Sequence, residues 1–433
     1  MKDFEKKELI SFFIKLLILW TFEFFLFSLF FYYQPKSFLS SVDFLKNEIS
    51  KNPELEILIK KAIDLGAKIN PDLNTNPIRN LNDYFNFLNF TEKSLPHNLF
   101  FKEQKKFKIY EKIDQCLNYF FFISNIQLNE LNKYNLYNNT LQYYEPYENF
   151  LKFFALNWGK FLNSKESWNE NYYKIYLNDD LFNLNKNWYE NYKNWKTFNQ
   201  FFSRKLLNNN SRPIFKQNED KFLIIPADST PQGIWKIKNG FIELNPNEKK
   251  LILKSKEFLK ISTLLSENSS YKNHFNNGIL THSFLDVFDY HRFHFPISGT
   301  IKEIMKIKGN YAVGGSINWN EKEKKYLLDS NVPSWESIET RALIVLENDI
   351  YGLIAILPVG MMPVSSIEFE PGLKVGKKVK KGEMMGTFLF GGSDFVIIFN
   401  DNVDFKFIVE KNKNGDFKHL LMGEKLGELY VKN

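Results

Sequence analysis

Apolar and polar positions follow one another along the chain in three textures. From Leu9 to Tyr33 the residues are almost continuously apolar, LISFFIKLLILWTFEFFLFSLFFYY, with only Lys15 and Glu23 interrupting them. That length suffices for one bilayer-spanning helix, and Lys15 lies near enough to one end to reach the interface. A helix buried in the protein or lying in the membrane interface is the competing expectation. A cleaved signal peptide fits less well, because no small-residue site follows the apolar run. From about Asn47 to Lys205 apolar residues recur every three to four positions, as in LEILIKKAIDLGAKI and YENFLKFFALNWGKFL. This spacing predicts helices, punctuated by Asn-Pro, Asn-Asn and Asn-Asp pairs. Leu207–Lys221 is polar, carries Pro213 and reads as a linker. Beyond it, short runs such as FLIIP, ALIVL, YGLIAILPVG and DFVIIF alternate with Gly, Pro and Asn turns, which predicts strands. The expected architecture is therefore α+β. It comprises an apolar anchor segment and linker over 1–46, a helical accessory domain over 47–205, and a strand-rich domain over 206–433.

Composition changes this picture little. The chain has 433 residues, of which 44% are hydrophobic and 17% aromatic, enough to bury a large core. The net charge of +7 is modest for the length and forms no dense basic block, so nucleic acid is not an expected partner. Weak attraction to an anionic lipid surface is compatible with it. Lysines at 2, 6 and 7 precede the apolar run and those at 36 and 46 follow it, so the orientation across a membrane stays open. The single cysteine, Cys116, excludes an intramolecular disulfide and a cysteine-based zinc cage. It sits in the apolar run CLNYFFFI and is expected in the core. His97 stands alone in the helical part and is expected at the surface.

Candidate chemistry is confined to the strand-rich part. In FLFGGSDFVIIF, Ser393 follows Gly391 and Gly392 between two apolar runs; taken alone, this is most simply a hairpin turn. Asp228 ends the apolar run of FLIIPADST, where an acid is commonly a turn or cap residue. His291 and His294 flank Arg292 and Phe293 in DYHRFHFPISGTI; a metal reading of the two histidines lacks a convincing third ligand, so no metal is assigned. GLKVGKKVKKGEMMGTFLF places glycines between short strands in the manner of barrel-sandwich modules, a likeness of shape only.

Taken together, these stretches resemble the phosphatidylserine decarboxylases, which are pyruvoyl-dependent enzymes. The resemblance rests on an ordered series: TFNQFFSRKL, SRPI, PADS, DYHRFHFPISGTI, LPVGMMPVSSI and KKGEMMGTFLFGGSDFVIIF, covering roughly Thr197 to Phe399. The helical half, with WGKFLNSKES and the Trp-rich segment after it, is more loosely similar to the N-terminal extension of a branch that includes a soluble fungal tryptophan decarboxylase.

The resemblance implies that Ser393 attacks the Gly392 carbonyl, that the chain is cut between Gly392 and Ser393, and that the serine becomes a covalent pyruvoyl cofactor. By motif position Asp228 and His291 would activate the serine, giving an Asp–His–Ser arrangement. The pyruvoyl ketone would then serve as the electron sink for loss of carbon dioxide. His291, with an imidazole pKa near the operating pH, would return a proton to the substrate carbon, and His294 would orient it or bind substrate. The implied partners are a phospholipid, a membrane and the chain's own cleaved C-terminal piece; a homo-oligomer is allowed and not specified.

Residue 394 departs from the family pattern, which has Thr or Ser where this chain has Asp394. The carboxylate either stands beside the future cofactor or points across the strand, and the alternation of strand side chains favours the second placement. The apolar N-terminal run and Asp228 favour phosphatidylserine as substrate. The helical extension favours a free aromatic amino acid such as tryptophan, and a membrane relative that fails to process itself is the non-enzymatic alternative.

Overall fold

The computed structural model describes residues 39–98, 112–244, 259–331, 333–361, 365–413 and 415–432. The expected anchor at Leu9–Tyr33 lies outside them; among the described residues no helix is long and apolar enough to cross a membrane. A helical region comes first and a strand-rich region second, as the two periodicities predict.

The helices are α1 (Ser41–Lys51), α2 (Pro53–Ile69), α3 (Leu81–Thr91), α4 (Ile113–Phe122), α5 (Glu145–Leu162), α6 (Glu170–Leu177), α7 (Phe198–Phe202) and α8 (Ile261–Leu265). Helix α2 shows how sequence sets these elements. The Asn52 side chain accepts from Glu54 N and Pro53 opens the first turn, while Leu55, Leu58, Ile59, Ala62 and Ile63 form one buried stripe. Cys116 is buried on α4 without a disulfide, as expected. His97 differs from expectation. Its ring packs edge-on against Tyr176 and its Nδ1 bonds the Tyr176 hydroxyl, so it belongs to an aromatic cluster.

The strands are β1 (Phe222–Ile224), β2 (Thr230–Lys238), β3 (Phe241–Ile242), β4 (Ile279–Leu285), β5 (Arg292–His294), β6 (Gly299–Ile307), β7 (Ser316–Asn320) and β8 (Lys325–Asp329). They continue as β9 (Thr340–Asn348), β10 (Gly352–Met361), β11 (Ile367–Phe369), β12 (Lys378–Val379), β13 (Met384–Phe388), β14 (Gly392–Phe399), β15 (Val403–Phe407) and β16 (Lys425–Val431). An eight-stranded antiparallel sheet runs β12-β6-β9-β10-β14-β4-β2-β3, with smaller sheets β11-β13-β5 and β1-β16-β15 beside it.

Strand β14 lies inside the large sheet and is covered on both faces, which explains its unbroken apolar run. Phe395, Ile397 and Phe399 enter one buried cluster with Phe293, Ile344 and Met385. Val396 and Ile398 enter the other, which continues into the helical region through Phe154, Trp158 and Phe202. Polar clasps join the regions further: the Gln115 side chain bonds both the N–H and the carbonyl of Tyr326, at 2.8 and 3.0 Å, and Asn70 donates to the Tyr326 hydroxyl at 2.8 Å.

Candidate active site

Ser393 stands at the start of β14. Its ladder partners are Gly360 on β10 and Leu285 on β4. Gly391 before it has φ 153°, a backbone that favours glycine. Gly360 is glycine because a Cβ there would come within 2.9 Å of the Ser365 carbonyl carbon, so the chain beyond β10 folds tightly over Ser393's neighbour. Ser393 is fully buried and its Oγ has no hydrogen-bond partner. An unpaired buried hydroxyl costs about 1–3 kcal/mol, which is characteristic of a group held for reaction.

His291 is also fully buried. Its backbone carbonyl accepts from Phe388 N at 2.8 Å and Thr387 Oγ1 at 3.1 Å, so it is fastened to the strand that leads into Gly391-Gly392-Ser393. Its ring stacks on Phe202, with centroids 3.8 Å apart, and Phe202 in turn meets Phe390. His291 Nδ1–H donates to the Asp289 carbonyl at 2.9 Å, which leaves Nε2 as a lone-pair nitrogen with no partner. Burial, reinforced by the charge of Arg204, lowers its pKa to about 3, so the imidazole is a neutral base. In the uncut chain this is well below the operating-pH value expected of a proton donor; desolvation of the cation is the cause.

The turn that presents Asp289 is itself buttressed. Asp286 N donates to Asp289 Oδ2 at 2.8 Å, and Asp289 Oδ1 pairs with His419 Nε2 at 2.9 Å.

The expected relay from Asp228 to His291 to Ser393 is not a hydrogen-bonded chain here. Asp228 is buried and taken up by Arg212, whose Nε and Nη2 donate to Oδ1 and Oδ2 at 2.9 and 2.5 Å; Met422 N adds a third bond at 2.7 Å. The orienting acceptor of His291 is the Asp289 carbonyl instead. His294 uses both ring nitrogens elsewhere: Nδ1 donates to the Gly382 carbonyl at 2.9 Å and Nε2 accepts from Tyr290 Oη at 3.3 Å. Burial holds its pKa near 4. His291 Nε2 and Ser393 Oγ are not bonded to each other; both remain unpaired.

Three groups in this region escape sequence reasoning. Arg212 sits inside the polar linker, yet it is 2% exposed and stacks on Trp188 at 4.3 Å. Arg204, from the SRKL block, is fully buried against Tyr189; its Nη2 donates to the Phe288 carbonyl at 2.7 Å, while Nε and Nη1 have no partner. His282 bonds Asp394, which lies on the face of β14 opposite Ser393, as strand alternation favours.

A cleft of about 560 Å³ opens between α5 and the sheet, lined among others by Gly159, Lys160, Lys306, Ser366 and Leu389. Leu389 N donates to the Ser366 carbonyl at 3.3 Å, so the cleft adjoins the loop that enters β14.

The family model described as phosphatidylserine decarboxylase matches residues 198–428. The phosphatidylserine decarboxylase proenzyme of Clostridium novyi (strain NT) is 33% identical over 282 residues, covering 64% of this chain and 85% of its own. That of Clostridium kluyveri is 33% identical over 284 residues, covering 64% and 86%. Phosphatidylserine decarboxylase proenzyme 3 of Schizosaccharomyces pombe is 31% identical over 239 residues, which are 54% of this chain and 22% of the longer relative. Matched across most of its strand-rich half, this chain belongs to the phosphatidylserine decarboxylase family, a family of carboxy-lyases.

Proposed function

We propose that the chain is a proenzyme that cuts itself between Gly392 and Ser393 and then decarboxylates phosphatidylserine to phosphatidylethanolamine and carbon dioxide. The observation that carries this reading is the presence of two unsatisfied buried groups: the Ser393 hydroxyl after Gly392, and the neutral Nε2 of His291, whose carbonyl is bonded to the strand leading into Ser393. Nε2 takes the proton of Ser393 Oγ as the oxygen attacks the Gly392 carbonyl carbon and gives it to the Ser393 nitrogen as the C–N bond breaks, so the amide becomes an ester with a free amine. Loss of the Ser393 α-proton then expels the Gly392 carboxylate. The dehydroalanine left behind takes up water and releases ammonia, which leaves a pyruvoyl group at position 393. The residues present fit that group, since an orphaned serine sits in an enclosed strand and a buried imidazole is held in its basic tautomer on a segment bonded to the strand that leads into it. When formed, it supplies an electron sink for decarboxylation.

The other residues bind and position. Asp289 keeps Nε2 of His291 unprotonated through its carbonyl, so that the imidazole acts as the base. Arg204, whose Nε and Nη1 are unpaired, offers the charge for an anionic part of the substrate. Asp228 and His294 hold the surrounding backbone through Arg212, Met422 and Gly382. The cleft beside Leu389, with Lys160 on its wall and Lys306 paired to Glu368 there, offers a route by which a phospholipid head group enters. The Leu9–Tyr33 segment holds the enzyme at the bilayer where that lipid resides.

Intact-mass measurement of the purified protein tests the first step. A Ser393-initiated piece comprising residues 393–433 is expected, and Ser393→Ala is expected to remain one chain. Carbon dioxide release from phosphatidylserine in detergent micelles tests the second. Persistent release by Ser393→Ala would remove the pyruvoyl assignment, and turnover of free tryptophan without turnover of lipid would reassign the substrate.

A further inference from the structure

Asp394 belongs to a buried cluster that neither cleavage nor decarboxylation uses. On the face of the sheet opposite Ser393, its Oδ2 lies 3.1 Å from Nδ1 of His282, a diagonal neighbour on β4. Glu336 enters from the short turn Trp335–Ser337, with Oε1 at 3.7 Å from the same nitrogen. One ligand atom from each of the three residues lies within 4.8 Å of the others, and all three residues are buried. The other nitrogen of His282, Nε2, is 3.1 Å from the Asn331 carbonyl, and Trp235 stacks on the ring.

That carbonyl accepts from Nε2–H and so holds Nδ1 toward the two carboxylates, where in the metal-free chain it bonds Asp394 Oδ2. Three atoms of metal-ligand type therefore converge among buried side chains. Asp394 Oδ1 and Glu336 Oε1 have no hydrogen-bond partner, although each belongs to a fully enclosed side chain. Glu336 Oε2 is already satisfied by Ser334 N at 2.7 Å, so Oε1 is the oxygen presented to the cluster. The nearby cation Arg341 is committed elsewhere, donating to the carbonyls of Leu264, Glu339 and Thr263. Two carboxylates carry the charge that one divalent cation neutralises when it displaces the proton shared between His282 Nδ1 and Asp394.

We propose that His282 Nδ1, Glu336 Oε1 and Asp394 bind a divalent transition-metal ion of the zinc type. An imidazole with two carboxylates suits zinc, at about 2.0–2.2 Å per ligand. The carbonyl behind the histidine is the kind of outer partner that fixes a ligating ring. The ion ties β4 and β14 to the Trp335–Ser337 turn. It is structural, and it does not depend on the function proposed above.

The test uses the full chain purified without chelator. Elemental analysis should find about one zinc per chain, and the chelator-stripped protein should melt several degrees lower until zinc is restored. Cobalt(II) added to the stripped protein should give visible d–d absorption, which needs no variant and so survives any folding failure. Asp394→Ser and His282→Gln should lose both metal and absorption. Metal below roughly 0.1 ion per chain, with no absorption and no melting shift on adding zinc or cobalt, would overturn the site. So would equal binding by the variants, which would place the ion on other histidines.

Discussion

Asp228→Asn separates a structural from a chemical role for the acid that sequence motif places in the relay. In the structure the carboxylate neutralises Arg212 through two parallel bonds and also accepts from Met422 N, with both side chains at most 4% exposed. Burial opposes the Arg212 charge, but the carboxylate outweighs it and raises the guanidinium pKa. Removing one partner of such a pair strands the other in a dry site, at about 3–5 kcal/mol. The loss of two charge-assisted bonds, each worth about 1.5–3 kcal/mol, gives a similar figure. In a Ser393→Ala background, where no cutting intervenes, Asp228→Asn should shift the urea midpoint sharply downward. The double variant Asp228→Asn with Arg212→Met should recover part of that loss, because it removes the stranded cation. An Asp228→Asn chain as resistant to urea as its parent, yet unable to cut itself when Ser393 is present, would refute this account and return Asp228 to the catalytic relay.

Gly360→Ala forces a methyl group against the Ser365 backbone beside Ser393; a cost of about 1–3 kcal/mol and markedly slower cutting should appear in melting curves and a cleavage time course. Parental values in both would show that this close approach is irrelevant. The pH dependence has a definite sign at His291. The unfolded chain gains its proton near pH 6.5, whereas the folded chain holds the group neutral to about pH 3. Stability is therefore lost as pH falls between those values. Relative to a His291→Gln variant, the uncut parent should lose about 2 kcal/mol between pH 7 and pH 5, read from urea titrations at each pH; parallel curves would mean that the imidazole charges freely in the fold. Arg204→Met should raise KM for phosphatidylserine more than tenfold in the cut fraction, since a charged contact of about 1.5–3 kcal/mol is lost. An unchanged KM would place the anion elsewhere.

Much of this arrangement is written locally. The three-to-four spacing around Leu55–Ile63 makes a helix by itself, and the apolar run after Ser393 marks a strand covered on both faces. The alternation of strand side chains was enough to place Asp394 away from Ser393. What local pattern could not carry was pairing across long separations. His282 and Asp394 stand 112 residues apart, and nothing in THSFL distinguishes a buried ligand-like histidine from an ordinary one. Arg212 looks like solvent-facing linker because its neighbours are polar; only the fold reveals Asp228 waiting for it. The Asp–His–Ser expectation is not a hydrogen-bonded chain in the fold, because Asp228 is taken up by Arg212. The acceptor for His291 is a backbone carbonyl, whose identity depends on the shape of the Asp286–Asp289 turn.

The position of β14 has a consequence for the life of the protein after cutting. Residues 393–399 hydrogen-bond to β10 on one side and β4 on the other, and the chain beyond supplies β16, which pairs with β1 and carries β15 on its other edge. A break before Ser393 would thus yield two polypeptides already interleaved, joined by ladders that neither could assemble with itself. The uncut chain would unfold and refold as one molecule, whereas the cut form would have to find its partner again in solution. Its denaturation midpoint would vary with protein concentration, and a diluted, denatured sample would stay inactive. Folding is then a single opportunity, completed before the bond is spent.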